Sequence, residues 1–196
     1  AVEIAQLRQQ ITEMRAARQS QVTQGTSLAL AVNQLAQAVD RKGSYGPALQ
    51  TVASLAGDSP ETAEALAGLE AFADTGAPDM ASLRAAFPGV ASRVMKAISL
   101  SEGDDWMTSA LARIKSLVSI RRVGEEVVGD TPEALLAQAE VALEDGDLAT
   151  AVAAMDMLPE PGLEAAADWL TAARGRVAVN RAIDVLQSRA IGALSR

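Results

Sequence analysis

Asp104 and Asp105, adjacent carboxylates just ahead of Trp106, are the pair in this 196-residue chain most able to suggest general acid–base chemistry. A working carboxylate pair needs something to set its two protonation states apart, usually a histidine, a metal or a closed pocket. The chain has no histidine and no cysteine, which removes the usual general base, the commonest metal ligand, zinc knuckles and thiol chemistry. The two aspartates read more simply as the N-cap of a helix in which Trp106, Ala110, Ile114 and Leu117 form a stripe. No phosphate loop, GxSxG, S-x-x-K or dinucleotide fingerprint occurs. The chain therefore reads as non-enzymatic, with no cofactor implied.

Contact with anions is the other chemistry these residue types allow. From Leu83 to Leu100 the apolar residues Phe87, Val90, Val94, Met95 and Ile98 fall within an arc of about 140° at 100° per residue, with Arg93 and Lys96 opposite and Arg84 just ahead. Such a basic amphipathic helix can lie in a lipid headgroup layer, apolar face inserted and cations beside anionic lipid. The same stripe serves equally as the core face of an ordinary helix, and Pro88 is expected to break the helix near Phe87. Arg113, Lys115, Arg121 and Arg122 make the densest basic cluster, near a helix C-terminus that favours cations for local reasons as well. With Arg93 and Lys96 they define one candidate positive surface, facing phospholipid or an acidic partner. The net charge of -8 is arranged in blocks: residues 43–83 carry six acids and no base, 84–122 carry seven bases and three acids, and 123–168 carry twelve acids and no base. So acidic a neighbour to every basic block argues against nucleic acid as a partner.

Helices must position these residues. At 49% hydrophobic and 3% aromatic, the chain is suited to one sizeable core built from thin, alanine-lined helix contacts. Ile4, Leu7, Ile11 and Met14 hold heptad a and d positions; the register meets Arg18, Gln21 and Gly25, then resumes with Leu28, Val32, Leu35 and Val39. This predicts helices over roughly 2–22 and 27–41 with a hinge at Gly25, or one long interrupted helix, serving as a packing face or a dimer seam. Turns marked by Gly and Pro separate short helices carrying Leu49, Val52 and Leu55, then Leu66, Leu69 and Phe72 after the Ser59-Pro60 start, then Leu83 to Phe87. Thr131 before Pro132 caps a helix that Gly146 ends, and Asp147 caps the next, lined by Leu148, Val152, Met155 and Leu158.

The last helix, expected from Leu163, is two-sided. Leu163, Leu170 and Val177 share one side, while Val179, Ile183, Leu186, Ala190 and Leu194 lie nearly opposite. Either it bends near Gly175, or its second half packs on another element or subunit. The second set is accordingly a candidate oligomer interface. Trp169 is expected to fill the core.

Residues 130–186 carry a family resemblance. LLAQAEVALEDGDLATAVAAMDMLP, followed by ADWLTAARGRVAVNRAI, resembles the C-terminal domain of the mitofilin family of mitochondrial contact-site subunits and its alphaproteobacterial relatives. There a GDL…A…L hairpin precedes a W-L-x-x-A-R-x-R helix, matched here by Gly146, Asp147, Leu148, Ala151, Leu158, Trp169, Leu170, Ala173, Arg174 and Arg176. FPGVASRVMKAI and RIKSLVSIRRVG resemble family segments more loosely. The resemblance implies an all-α bundle of short helical hairpins with a long C-terminal helix, a coiled-coil-like N-terminal segment over 1–42 and a helical domain over 43–196. It implies a scaffold organising cristae or intracytoplasmic membranes, which oligomerises, most simply as a homodimer, and contacts or bends an anionic bilayer.

The membrane-binding positions so implied are Arg84, Phe87, Arg93, Val94 and Lys96, joined by the cluster Arg113, Lys115, Arg121 and Arg122. An upstream transmembrane anchor outside this chain and protein partners at the helical domain are implied as well. Fourteen arginines to three lysines point to a GC-rich bacterial source, and there to the periplasmic side of the inner membrane. The alternative is a soluble protein-interaction module of helix-hairpin repeat type, although the ~34-residue self-similarity of such arrays is missing.

Overall fold

In the computed structural model, which describes residues 2–41, 43–57, 59–101 and 129–194, the protein is all-α, with seven helices and no strand among the described residues. They are α1 (Val2–Asp40), α2 (Gly46–Leu55), α3 (Pro60–Glu70), α4 (Met80–Ser101), α5 (Pro132–Asp145), α6 (Leu148–Asp156) and α7 (Glu160–Leu194). The chain divides into two compact units, one of Ala1–Ala77 with Ala178–Arg196, the other of Pro78–Val177. The second half of α1 packs in one core with α2, α3 and the end of α7. Among the described residues no helix is long and apolar enough to cross a membrane.

In the first unit, Leu28, Ala31, Val32, Leu35 and Val39 recur at helical spacing on α1 and are buried against Leu49 and Val52 of α2, Leu69 of α3, and Val179, Ile183 and Leu186 of α7. Tyr45 is buried at the start of α2, its hydroxyl donating to the Leu69 carbonyl at 2.7 Å, so the largest polar group in this core is satisfied. Arg189 on α7 donates to the Ala56 carbonyl at the end of α2 at 3.1 Å. The hinge expected at Gly25 is absent: α1 runs through it as one helix. Gly25 is buried because the last turn of α7 lies against it, and an added Cβ would sit 3.1 Å from the Ala193 carbonyl oxygen. Its lack of a side chain permits a close helix approach, not a turn.

The second unit holds α4, α5, α6 and the first part of α7. Thr131 accepts from the Ala134 N–H with Pro132 in the first turn of α5, and Gly146 ends that helix at φ 83°, donating its N–H to the Leu143 carbonyl. Asp147 then caps α6 by accepting from the Thr150 N–H at 3.0 Å and the Thr150 hydroxyl at 2.7 Å. The core joins Leu135, Ala139 and Leu143 of α5 to Ala151 and Met155 of α6 and to Trp169, Leu170 and Ala173 of α7. Trp169 is buried with its indole N–H donated to the Leu83 carbonyl at 3.0 Å and its ring 5.3 Å from that of Phe87. The two-sidedness of α7 follows from its double membership: Leu170 and Ala173 belong to this core, Val179, Ile183, Leu186 and Ala190 to the other.

Candidate functional site

Helix α4 is continuous from Met80 to Ser101, with Pro88 inside it. Proline removes one helical hydrogen bond, but Pro88 is exposed, so the loss does not fall inside the core. Continuity gives α4 two faces. The inner one carries Leu83, Phe87, Val90, Val94 and Ile98, each 5% exposed or less. Phe87 and Val94 are therefore corrected from membrane contacts to core residues. The apolar arc seen in the sequence is the side that α5 and α7 cover, and full burial of such a side chain stabilises the fold by about 1.5–3 kcal/mol.

Arg84 has partners within its own unit. Its guanidinium reaches across to the end of α5, where Nε donates to the Leu143 carbonyl at 2.9 Å and Nη2 donates to the carbonyls of Leu143 and, at 3.2 Å, Glu144. The last carbonyls of a helix lack intrahelical donors and carry partial negative charge, so a cation there satisfies both needs. Arg84 is a cap for α5.

The outer face of α4 holds Gly89, Arg93, Lys96 and Leu100, which fall within about 60° of one another at 100° per residue. Arg93 and Lys96 are exposed and, among the described residues, enter no ion pair. Leu100 is 73% exposed, the most exposed of the large apolar side chains among the described residues. Sorting the sequence by its longest apolar arc passes over Leu100, because a single leucine among cations registers as noise; its signal is the three- and four-residue spacing from Arg93 through Lys96. Arg113, Lys115, Arg121 and Arg122, like Asp104 and Asp105, lie outside the described residues.

Beside α4 an open groove of about 270 Å3 runs between that helix and α5, lined by Phe87, Pro88, Ala91 and Met95 on one side and Glu133, Leu136, Ala137 and Glu140 on the other. The candidate oligomer residues are placed elsewhere. Val179, Ile183, Leu186 and Ala190 are buried in the core that α1 and α2 share with α7, a correction whose cause is that α1 supplies the cover the sequence could not locate. Leu194 is 45% exposed. The matched hairpin and helix motif is made of packing and capping residues: Leu148, Ala151, Leu158, Trp169, Leu170 and Ala173 are buried, Gly146 and Asp147 form caps, and Arg174 pairs with Asp156 at 2.6 Å. The Asp147 carboxyl is held below its ordinary value by the Thr150 hydroxyl first and the Thr150 N–H second.

A family model described as Mitofilin, mitochondrial inner membrane protein, matches residues 1–191. The chain is similar to the MICOS complex subunit MIC60 of Pyrenophora tritici-repentis, 34% identical over 143 residues, which is 72% of this chain and 22% of that protein. It is 32% identical to the MICOS complex subunit MIC60 of Phaeosphaeria nodorum over 167 residues, 83% of this chain and 27% of that one. For the Neurospora crassa subunit the identity is 31% over 143 residues, 72% of this chain and 21% of that protein. The chain thus spans about a quarter of the length of these relatives. No solved structure matches it.

Proposed function

The chain belongs to the mitofilin family, and on that footing we propose that it is a non-enzymatic, membrane-organising scaffold domain that oligomerises and contacts an anionic bilayer with the outer face of α4. Relatives named as subunits of one complex support a role inside an assembly at a membrane, with protein partners as well as lipid. The arginine-rich composition favours the periplasmic side of a bacterial inner membrane as its place.

One observation carries the lipid part of this reading: Arg93 and Lys96, exposed and without an ion-pair partner among the described residues, share a face with the exposed Leu100. Two cations near headgroups with an apolar side chain between them match what an interfacial helix offers a bilayer. Arg113, Lys115, Arg121 and Arg122 extend the same chemistry in sequence. Co-sedimentation tests it with vesicles of phosphatidylcholine alone and with increasing phosphatidylserine. Binding is expected to rise with anionic lipid and weaken with salt. Each cation near the surface contributes about 1 kcal/mol, so Arg93→Gln with Lys96→Gln is expected to lower the partition constant roughly thirtyfold while the thermal unfolding curve stays in place. Unchanged binding by this folded variant would remove α4 from the lipid contact.

A further inference from the structure

Two uncovered apolar features of the described surface carry opposite charge. One is the groove between α4 and α5, where part-exposed Ala91, Met95 and Ala137 lie over the buried Phe87 and Leu136, with Glu133 and Glu140 on its α5 side. Its volume, about 270 Å3, is below the ~300–1,000 Å3 of small-molecule pockets. An apolar trough between two helices suits the face of a third helix. The other feature is the first half of α1, where every described side chain from Ile4 to Gln24 is exposed, Ile4 at 57%, Ile11 at 43% and Met14 at 64%. Arg8 and Arg15 flank that stripe on one side, seven residues apart, as Glu133 and Glu140 are on α5. At 1.5 Å per residue both spacings come to about 10.5 Å. Among the described residues none of these four enters an ion pair.

We propose that the α4–α5 groove of one copy takes the first half of α1 from a second copy, with Ile11 against the apolar lining and Arg8 and Arg15 against Glu133 and Glu140. The inference rests on the oligomeric part of the proposed function and gives it a surface, now that Val179, Ile183, Leu186 and Ala190 are covered within the chain. Each copy has both the helix and the groove, so every copy can give and receive the same contact. The charge pairs set register, and the apolar face supplies the burial.

The chain has no cysteine, so single substitutions introduce the only thiols. Ile11→Cys and Ala137→Cys proteins, checked for native helicity by circular dichroism, are oxidised separately and as a mixture and run on non-reducing gels. The mixture is expected to give a linked pair that neither sample gives alone. Glu133→Arg with Glu140→Arg in the Ala137→Cys copy lowers its yield by about tenfold, and Arg8→Glu with Arg15→Glu in the other copy restores it. A pair formed by the Ile11→Cys sample alone means that α1 meets α1, which leaves self-association standing and overturns the groove. Absence of any linked pair overturns the groove too; sedimentation equilibrium of the unsubstituted chain then decides the oligomeric reading separately, since a monomer overturns that as well.

Discussion

Arg84 and Arg93 lie on one helix, carry one charge each and belong to different problems. Arg84 satisfies the carbonyl end of α5, whereas Arg93 faces solvent with no acid to meet among the described residues. Arg84→Ala is therefore expected to lower stability by about 1 kcal/mol in urea unfolding and to leave vesicle binding unchanged. The reverse pattern, lost binding with unaltered stability, would restore Arg84 to the lipid surface. The sequence could not separate the two, because the acceptors of Arg84 are the carbonyls of Leu143 and Glu144, far along the chain. Phe87 and Val94 were ambiguous for a related reason. An amphipathic stripe states that a face must be covered, and protein and lipid are equally good covers for it.

Helix ends were the most legible elements. Thr131, Gly146 and Asp147 act through partners within four residues, and each caps where the sequence placed it. Continuity was less legible, since Gly25 and Pro88 are helix breakers by propensity and both sit inside helices. Gly25 is retained for the close approach of α7, a contact between the two ends of the chain that no local pattern reports. The cap of α6 gives a pH-dependent prediction. The Asp147 carboxyl is held below 3.8 by Thr150, so its contribution is fully present above the unfolded value, near pH 4, and is lost as pH falls through the folded value. Asp147→Ala is expected to cost about 1 kcal/mol at pH 7, and the gap to the parent protein should be smaller at about pH 3 than at pH 7. Urea midpoints of both proteins at the two pH values check this; a gap undiminished in acid would mean the cap does not depend on the carboxylate.

For the molecule as a whole, the all-α class and the family were legible from composition and from residues 130–186, while the partition into two units was not. Residues 178–194 join residues 28–69 in one core, and the two stripes of α7 announced that a second cover existed without naming α1 as the cover. Once those stripes are accounted for within the chain, the outer face of α4, the α4–α5 groove and the first half of α1 stand among the apolar features still open on the described surface. The reading of the protein as a membrane scaffold then depends on the first of these. A polarity-sensitive fluorophore attached at Leu100→Cys, the only thiol in the chain, reports on that face directly. Emission is expected to rise and shift to the blue with vesicles containing phosphatidylserine, not with phosphatidylcholine alone, and to revert in high salt. Emission that stays at its aqueous value while the labelled protein co-sediments with those vesicles would contradict the contact.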